Sequence, residues 1–252
     1  MGRTIAIANQ KGGVGKTTTA INLAASLAAM EKMVLLIDCD PQANASSGLN
    51  IVPNEQGNLY RALYEPESAQ SMVYPSRNSY LNVLPSIPDL AAAELELVEK
   101  MAREYYLKGV VEHFKTEYEY ILLDCPPSLG LLTVNALCAA DSLLIPLQCE
   151  YYALEGITQL IRSYELVRKR LNQKLKLLGV VLTMFDKRNK LSHQVENEVR
   201  SYFAKKVFGT IIPRNVRLSE APSHGLPVMY YDCKSKGSQS YLDLGREFLT
   251  RA

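Results

Sequence analysis

The segment IANQKGGVGKTTTA, residues 7–20, combines glycines, lysines and threonines in a pattern typical of a phosphate-binding loop. It follows an apolar run and precedes an alanine-rich stretch with helical spacing, which is the context that such a loop requires. Glycine permits backbone torsions that aim successive N–H groups at an anion, and a helix N-terminus adds positive potential. The residues predicted to contact the nucleotide are Lys11, Gly12, Gly13, Val14, Gly15, Lys16, Thr17 and Thr18.

Two lysines stand in this loop where one is enough to bind a phosphate. Lys16 is predicted to contact the β- and γ-phosphates of ATP, and the Thr17 hydroxyl to bind Mg²⁺. Lys11 lies five residues before Lys16, and Gln10 replaces the glycine with which the strict motif begins. Because a cation brought to the γ-phosphate can raise the rate roughly 10³- to 10⁵-fold, we predict a catalytic role for Lys11 as well.

Three aspartates follow apolar runs typical of buried strands. Asp38 and Asp40 close the segment LLIDCDPQ, two residues apart and so on one side of an extended chain. Asp124 ends the run YILLD, which is typical of a Walker B strand whose carboxylate holds Mg²⁺ directly or through water. We expect all three at the carboxyl edge of a parallel sheet, where doubly wound folds bind ligands.

Composition narrows the class of protein. The 252 residues include 28 basic and 26 acidic ones, a formal charge of +2, which neither requires nor excludes a nucleic-acid partner. The five cysteines never form C-x-x-C, so zinc and disulfide frameworks are disfavoured and a reducing cytoplasm is expected. The N-terminal apolar run is too short for a signal peptide, and no run approaches the ~18 apolar residues of a membrane span.

Apolar runs alternate with helical patterns along the chain, which predicts an α/β fold with one doubly wound, mostly parallel sheet flanked by helices in a single domain, residues 1–252. The region 50–89 holds five prolines and is expected to form loops and short elements at one edge. The predicted strands are Thr4–Ala8, Val34–Asp38, Tyr120–Asp124, Ser142–Leu147, Leu177–Phe185 and Val207–Pro213. The helical patterns cover Thr17–Met30, Leu90–Phe114 and Ile157–Leu171.

The loop KGGVGKTT resembles the deviant Walker A box of the ParA/MinD ATPases, in which the first lysine is the signature residue. Within that family, several further segments resemble chromosome-type ParA (Soj) proteins, and the resemblance covers nearly the whole chain. These segments are LLIDCDPQANASSGL, LLDCPPSLGLLTVNAL, QCEYYALEGITQL, LTMFD and IPRNVRLSEAPSHGLPV.

This resemblance implies an ATP-dependent sandwich homodimer. Lys11 would cross the interface to the partner's phosphates, and Asp40 would position the attacking water. Asp38 and Asp124 would help to hold Mg²⁺ through water. Pro213 and Asn215 would lie near the adenine.

Two switch segments are also implied by the resemblance. A serine-rich loop, residues 44–48, would be the first, and the turn at residues 126–130, beside the γ-phosphate, the second.

The resemblance further implies binding to double-stranded DNA without sequence preference, stimulation by a ParB-type partner, and a location on the bacterial nucleoid. Arg188 and Arg217 match the family best as DNA contacts. The other candidates are Lys187, Lys190, Arg214, Lys234 and Lys236.

Three alternatives stay open. A MinD-like membrane ATPase would end in a basic amphipathic helix, whereas the segment at residues 238–252 is partly acidic and fits better as a helix packed on the sheet. An electron-transfer ATPase resembling nitrogenase iron protein needs exposed cysteines, but Cys125 and Cys138 adjoin apolar runs and are expected in the core. A nucleotide-gated scaffold would differ from the main interpretation only in turnover.

Overall fold

The structure, a computed structural model, describes residues 1–150 and 153–252, and within 153–156 it describes the backbone alone. The segment QCEYYALEGITQL, which carries part of the family resemblance, includes residues 151 and 152, and these lie outside the described residues.

The described residues form a seven-stranded sheet in the order β3-β4-β2-β5-β1-β6-β7. All neighbouring strands are parallel except the pair β3 and β4. Parallel pairing brings the carboxyl ends of the strands to one edge, and it sets Asp124 opposite both Ile7 and Asp38. The strands are β1 (Arg3–Ile7), β2 (Val34–Asp38), β3 (Tyr74–Pro75), β4 (Leu81–Leu84), β5 (Tyr120–Asp124), β6 (Ser142–Gln148) and β7 (Lys176–Thr183).

Helices cover both faces of this sheet. The α-helices are α1 (Lys16–Ala28), α2 (Asn44–Ser47), α3 (Leu59–Tyr64), α4 (Leu90–Glu96), α5 (Tyr106–Glu112), α6 (Leu131–Ala139), α7 (Ala153–Arg170), α8 (Lys190–Phe203), α9 (Val216–Glu220), α10 (Val228–Tyr231) and α11 (Lys236–Arg251). Short 3-10 turns are Pro66–Met72, Leu97–Glu99, Arg103–Tyr105, Ala204–Lys206 and Ala221–His224.

The core explains why the strand sequences are continuously apolar. Ile5 and Ile7 pack with α1 and α11 on one face, whereas Ala6 between them packs with helices α4 to α8 on the other. Since successive side chains of a strand point to opposite faces, a strand covered on both sides favours apolar residues at nearly every position. The predicted doubly wound fold is confirmed.

The helical pattern at residues 90–114 was expected to form one stripe, and that expectation is wrong. The chain bends after the 3-10 turn at 97–99, Met101 is exposed, and Ala102 takes a left-handed conformation with φ of 53°. Asn135 of α6 accounts for the break, because its amide donates to the carbonyl of Arg103 and its oxygen accepts the N–H of Leu107. Backbone groups that the bend frees are therefore satisfied from a neighbouring helix.

The segment 207–213 was expected to be a strand, yet it forms two isolated bridges, one from Val207 to Val180 of β7 and one from Pro213 to Phe185, which follows β7. Between them, the N–H groups of Gly209 and Thr210 donate to the Glu247 carboxylate of α11, both at 2.8 Å. Glu247 thus takes the donors that a strand ladder would use. The irregular region 50–89 is confirmed as short elements at the sheet edge, although β4 within it was not predicted.

No helix in residues 1–150 or 153–252 is long and apolar enough to cross a membrane. The last helix, α11, buries Tyr241, Leu244 and Phe248 in the core beside α1. This confirms that its apolar face packs on the protein.

Candidate nucleotide site

The loop after β1 has the geometry of an anion cradle. Gly13 and Gly15 have φ of 73° and 86°, a left-handed region in which a side chain is strained. Gly15 precedes α1 without a capping side chain among the described residues, so the first N–H groups of this helix face the loop. Gly12 faces the turn after β5, since a Cβ there would lie 3.9 Å from Pro127 Cβ.

The rear of the loop is fixed to β7. The Thr183 hydroxyl donates to the carbonyl of Val14 at 2.8 Å, and Val14 itself is buried. Thr17 and Thr18, at the start of α1, are half-buried. The loop is therefore anchored from below while its glycines stay at the surface.

Lys16 is buried inside the cradle, with 6% of its surface exposed. Its Nζ donates to the carbonyl of Lys11 at 3.1 Å. Burial lowers the pKa of Lys16, and the charges of Asp124 and Asp40 partly oppose that shift. A buried ammonium with one carbonyl partner is poorly compensated, so an anion in the cradle would stabilise it.

Asp124 is fully buried, and neither of its carboxylate oxygens has a hydrogen-bond partner in the described part of the chain. Burial, and then the charge of Asp38, raises the pKa of Asp124, while the nearby Thr17 hydroxyl and Lys16 lower it. An unpartnered buried carboxylate beside a hydroxyl fits Mg²⁺ held directly or through water.

No group of three or more His, Cys, Asp or Glu side chains in the described ranges could hold a metal by itself. Mg²⁺ usually keeps several waters and binds one or two carboxylates together with substrate phosphates. Cys125 and Cys138, which an iron–sulfur cluster would require at the surface, are buried core residues.

Asp38 and Asp40 are linked to each other. The N–H of Asp40 donates to Asp38 Oδ1 at 3.2 Å, and Asp40 Oδ1 accepts the N–H of Gln42 at 3.0 Å. Asp38 Oδ2 accepts both the N–H and the hydroxyl of Ser46, at 2.8 and 2.7 Å. Burial raises the pKa of Asp38 to about 6, against the effect of these bonds.

The segment 44–48 is a one-turn helix, α2, rather than the loop expected from the resemblance. Ser46 explains the difference, because its main chain and its side chain both bind Asp38 and its hydroxyl also accepts the N–H of Ser86. A conformational change of α2 would therefore alter the hydrogen bonds of Asp38 directly.

Replacement of Ser46 by alanine should lower the free energy of unfolding by about 1–3 kcal/mol, because a buried carboxylate loses a donor. Urea unfolding measures the effect. Ser47→Ala is the matched control, since the Ser47 hydroxyl is exposed and makes only a 3.4 Å bond within α2. Equal stability of the two variants would contradict the role given to Ser46.

Lys11 stands apart from Lys16. Its side chain is 38% exposed at the mouth of the loop, and its Nζ lies 3.1 Å from Glu150 Oε2. One lysine of the loop is thus buried in the cradle while the other faces outward.

Pro213 ends the segment 207–213 and Asn215 follows it, and the two residues have different surroundings. Pro213 bridges Phe185, and Met184 beside it lies 3.8 Å from a Cβ built on Gly15. Asn215 caps α9, its Oδ1 accepting the N–H of Arg217 at 2.9 Å. The structure therefore brings Pro213 to the rear of the phosphate loop and gives Asn215 a local structural contact.

Basic side chains from three loops meet in one groove of about 940 Å³. Its cations are Lys187, Arg188, Arg214, Lys234 and Lys236, and Asp186 and Asp243 also line it. Arg188 is 91% exposed and pairs with Asp186. Lys190 and Arg217 are not in the lining; Arg217 pairs with Glu220 at 2.8 Å and Asp232 at 3.3 Å.

Three contacts of the site were not predicted. Ser46, Glu150 and Thr183 each bind a predicted site residue: Ser46 lies eight residues from its partner, whereas Glu150 and Thr183 come from distant parts of the chain. All three lie within segments that carry the family resemblance, and that position was the available signal.

Comparison with known proteins shows the family of this chain. A family model described as an AAA domain matches residues 2–177. The chromosome partitioning protein ParA of Myxococcus xanthus is 58% identical over 252 residues, covering 100% of this chain and 89% of that protein. The sporulation initiation inhibitor protein Soj of Bacillus subtilis is 53% identical, covering 98% of each chain.

Solved structures share the fold. A cobyrinic acid a,c-diamide synthase from Mycobacterium smegmatis, with bound ADP and magnesium, has a TM-score of 0.86 and 34% identity over 99% of this chain and 94% of that one. The partitioning proteins are more similar in sequence, and the similarity extends over the full chain. The resemblance inferred from the sequence is confirmed: the chain belongs to the ParA/Soj family of chromosome-partitioning ATPases.

Proposed function

We propose that this protein is a Mg²⁺-dependent ATPase that forms a homodimer on binding ATP, binds double-stranded DNA without sequence preference as a dimer, and leaves DNA after hydrolysis. A ParB-type partner stimulates that hydrolysis, and the protein works on the nucleoid in the bacterial cytoplasm. The names of its relatives support partitioning, and the bound ADP and magnesium of one structural neighbour support the ligands.

The observation that carries the proposal is the separation of the two lysines. Lys16 is buried in the cradle of its own chain, whereas Lys11 is a third exposed at the loop's mouth. A single chain needs one of them to bind phosphate. An outward cation beside the phosphates suits a second nucleotide, bound by a second copy of the chain.

The catalytic roles follow from position. Lys16 and the loop N–H groups bind the phosphates, and Asp40, at the carboxyl end of β2, orients the attacking water. Lys11 of the opposite chain approaches the same phosphates. Thr17 and Asp124 hold Mg²⁺, with Asp38 assisting; the ion would neutralise charge on the phosphate oxygens. In this proposal, Pro213 and Asn215 contact the adenine.

DNA binding is supported by the groove of five cations, here called the basic groove. Its residues are separated in sequence but share one surface, which an overall charge of +2 did not require. Phosphate contact by such a surface is independent of sequence and weakens steeply with salt. We retain Arg217 and Lys190 as flanking candidates.

Lys234→Ala combined with Lys236→Ala should weaken DNA binding by the ATP-bound dimer and reduce the slope of log K against log salt by about one to two. Fluorescence anisotropy over a salt series measures this slope. Lys174→Ala is the control. Lys174 is exposed and lies just before β7, at the amino-terminal ends of the strands, whereas the basic groove follows the carboxyl end of β7. An unchanged slope in the double variant would remove the basic groove from the DNA surface.

A MinD-like membrane ATPase is the alternative. The apolar face of α11 is buried against the core, which leaves it poorly suited to insertion in lipid. Vesicle flotation with ATP decides between the two functions. ATP-dependent binding to anionic vesicles without DNA binding would favour the membrane alternative.

Gel filtration with ATP, ADP or no nucleotide tests the proposed dimer. Wild type and Asp40→Ala are compared, since slow hydrolysis should preserve the ATP form. We expect Asp40→Ala to elute as a dimer with ATP, and as a monomer with ADP or without nucleotide. Elution at one position under all three conditions would contradict the proposal.

A further inference from the structure

Glu150 contacts the signature lysine from a distant part of the chain. Lys11 Nζ lies 3.1 Å from Glu150 Oε2, although 139 residues separate the two in sequence. Strand β6 neighbours β1, so the segment after β6 starts beside the loop that follows β1. The sheet order therefore fixes a carboxylate at the mouth of the loop.

Glu150 is itself held in place. Its N–H donates to the carbonyl of Gln148 at 2.9 Å, and the Gln148 side-chain amide donates to Oε1. Gln148 is the last residue of β6. The carboxylate is thus oriented by the strand, and Oε2 is directed to Lys11.

The main chain of Lys11 is tied to the same strand. The Asn9 amide donates to the carbonyl of Pro146 at 2.8 Å, and Asn9 Oδ1 accepts the N–H of Lys11 at 3.1 Å. The carbonyl of Lys11 in turn accepts the Lys16 ammonium. Both the backbone and the side chain of Lys11 are therefore positioned from the end of β6.

We propose that Glu150 is a positioning residue that holds Lys11 on its own chain and thereby sets how readily this lysine crosses to a partner's nucleotide. The inference rests on the proposed dimer. The within-chain ion pair and the contact with the partner's phosphates compete for one ammonium. Because the two side chains are 38% and 47% exposed, the pair is weak enough to exchange.

Glu150→Gln keeps the size of the side chain and removes its charge. With a non-hydrolysable ATP analogue, it should lower the dissociation constant of the dimer about two- to fivefold, the range expected for an exposed ion pair. Sedimentation velocity measures the dimer, and nucleotide titration at low protein concentration should show unchanged affinity in the monomer. A structural defect would instead lower the Tm.

The control is Glu165→Gln, which removes a comparably exposed pair with Arg168 at the same 3.1 Å. It should leave the dimer unchanged. In a Lys11→Ala background, Glu150→Gln should have no effect on the dimer. Unchanged or weaker dimerisation in the Glu150→Gln single variant, or equal strengthening without Lys11, would overturn the inference.

The same experiment separates this inference from the proposed function. If wild type stays monomeric with the analogue, the proposed dimer is wrong, and the inference fails with it. If wild type dimerises and Lys11→Ala weakens the dimer while Glu150→Gln equals wild type, only the role of Glu150 is wrong.

Discussion

Asp40→Ala should lower kcat for ATP hydrolysis roughly 10²- to 10⁴-fold, the range for loss of a group that handles a proton or orients water. Asp40 is buried at the end of β2, next to Asp38 and among the charges that act on Lys16. Its carboxylate binds only the N–H of Gln42 among the hydrogen bonds of the described residues. Phosphate release under saturating ATP measures the loss.

ATP affinity, dimerisation and DNA binding should survive this substitution, because Lys16 and the glycine cradle stay in place. Asp40→Asn serves as the matched variant, since its amide oxygen can still accept the N–H of Gln42. It should be as inactive as Asp40→Ala. Normal turnover in either variant would show that another residue positions the water.

Lys16→Ala should weaken ATP binding roughly 10²- to 10³-fold, the effect of removing one partner from a buried, hydrogen-bonded charge pair. The Lys16 ammonium is buried and donates to the carbonyl of Lys11, so an ATP phosphate would meet a cation that is already desolvated. Titration with a fluorescent ATP analogue measures the affinity.

Lys32→Ala is the control for this variant. Lys32 forms a surface ion pair with Glu119 at 3.1 Å, and its loss should change ATP affinity by less than about twofold. Lys16→Ala should also abolish the ATP-dependent dimer. Retention of wild-type ATP affinity would show that the loop N–H groups alone bind the nucleotide.

The sheet was predictable because its strands are buried on both faces, a condition that forces continuous apolar runs. The predicted secondary structure is wrong in two segments, and for the same reason. At residues 97–105 and 207–213, polar side chains from other elements, Asn135 and Glu247, take the backbone hydrogen bonds that a helix or strand would have made. Periodicity in one segment carries no information about such distant partners.

The site was predictable where the chemically active residues lie at a recognisable spacing within one continuous segment. The phosphate loop and Asp124 could be recognised from their neighbouring residues in the sequence alone. The fold brings Thr17, Lys16 and Asp124 together. Recognising the contact of Glu150 with Lys11 needed the sheet order, because 139 residues separate the two. The contact of Ser46 with Asp38, eight residues apart, needed the local fold of the chain between β2 and α2. The basic groove likewise required the folded arrangement of three separate loops.

Each active site should be shared between two chains, and mixing two inactive variants tests this sharing most directly. Lys11→Ala and Asp40→Ala should each be inactive alone. Their heterodimer would contain one complete site, with Asp40 from one chain and Lys11 from the other. Because half of randomly mixed dimers are heterodimers with one of two sites complete, we predict recovery of up to about a quarter of wild-type ATPase activity.

The measurement is steady-state phosphate release from an equimolar mixture whose total chain concentration equals that of the wild-type reference. Activity well above the sum of the separate variants would show that Lys11 acts on the partner's nucleotide. If Lys11 acted within its own chain, neither site of the heterodimer would be complete. A mixture no more active than its components, while heterodimers are shown to form, would contradict the shared active site.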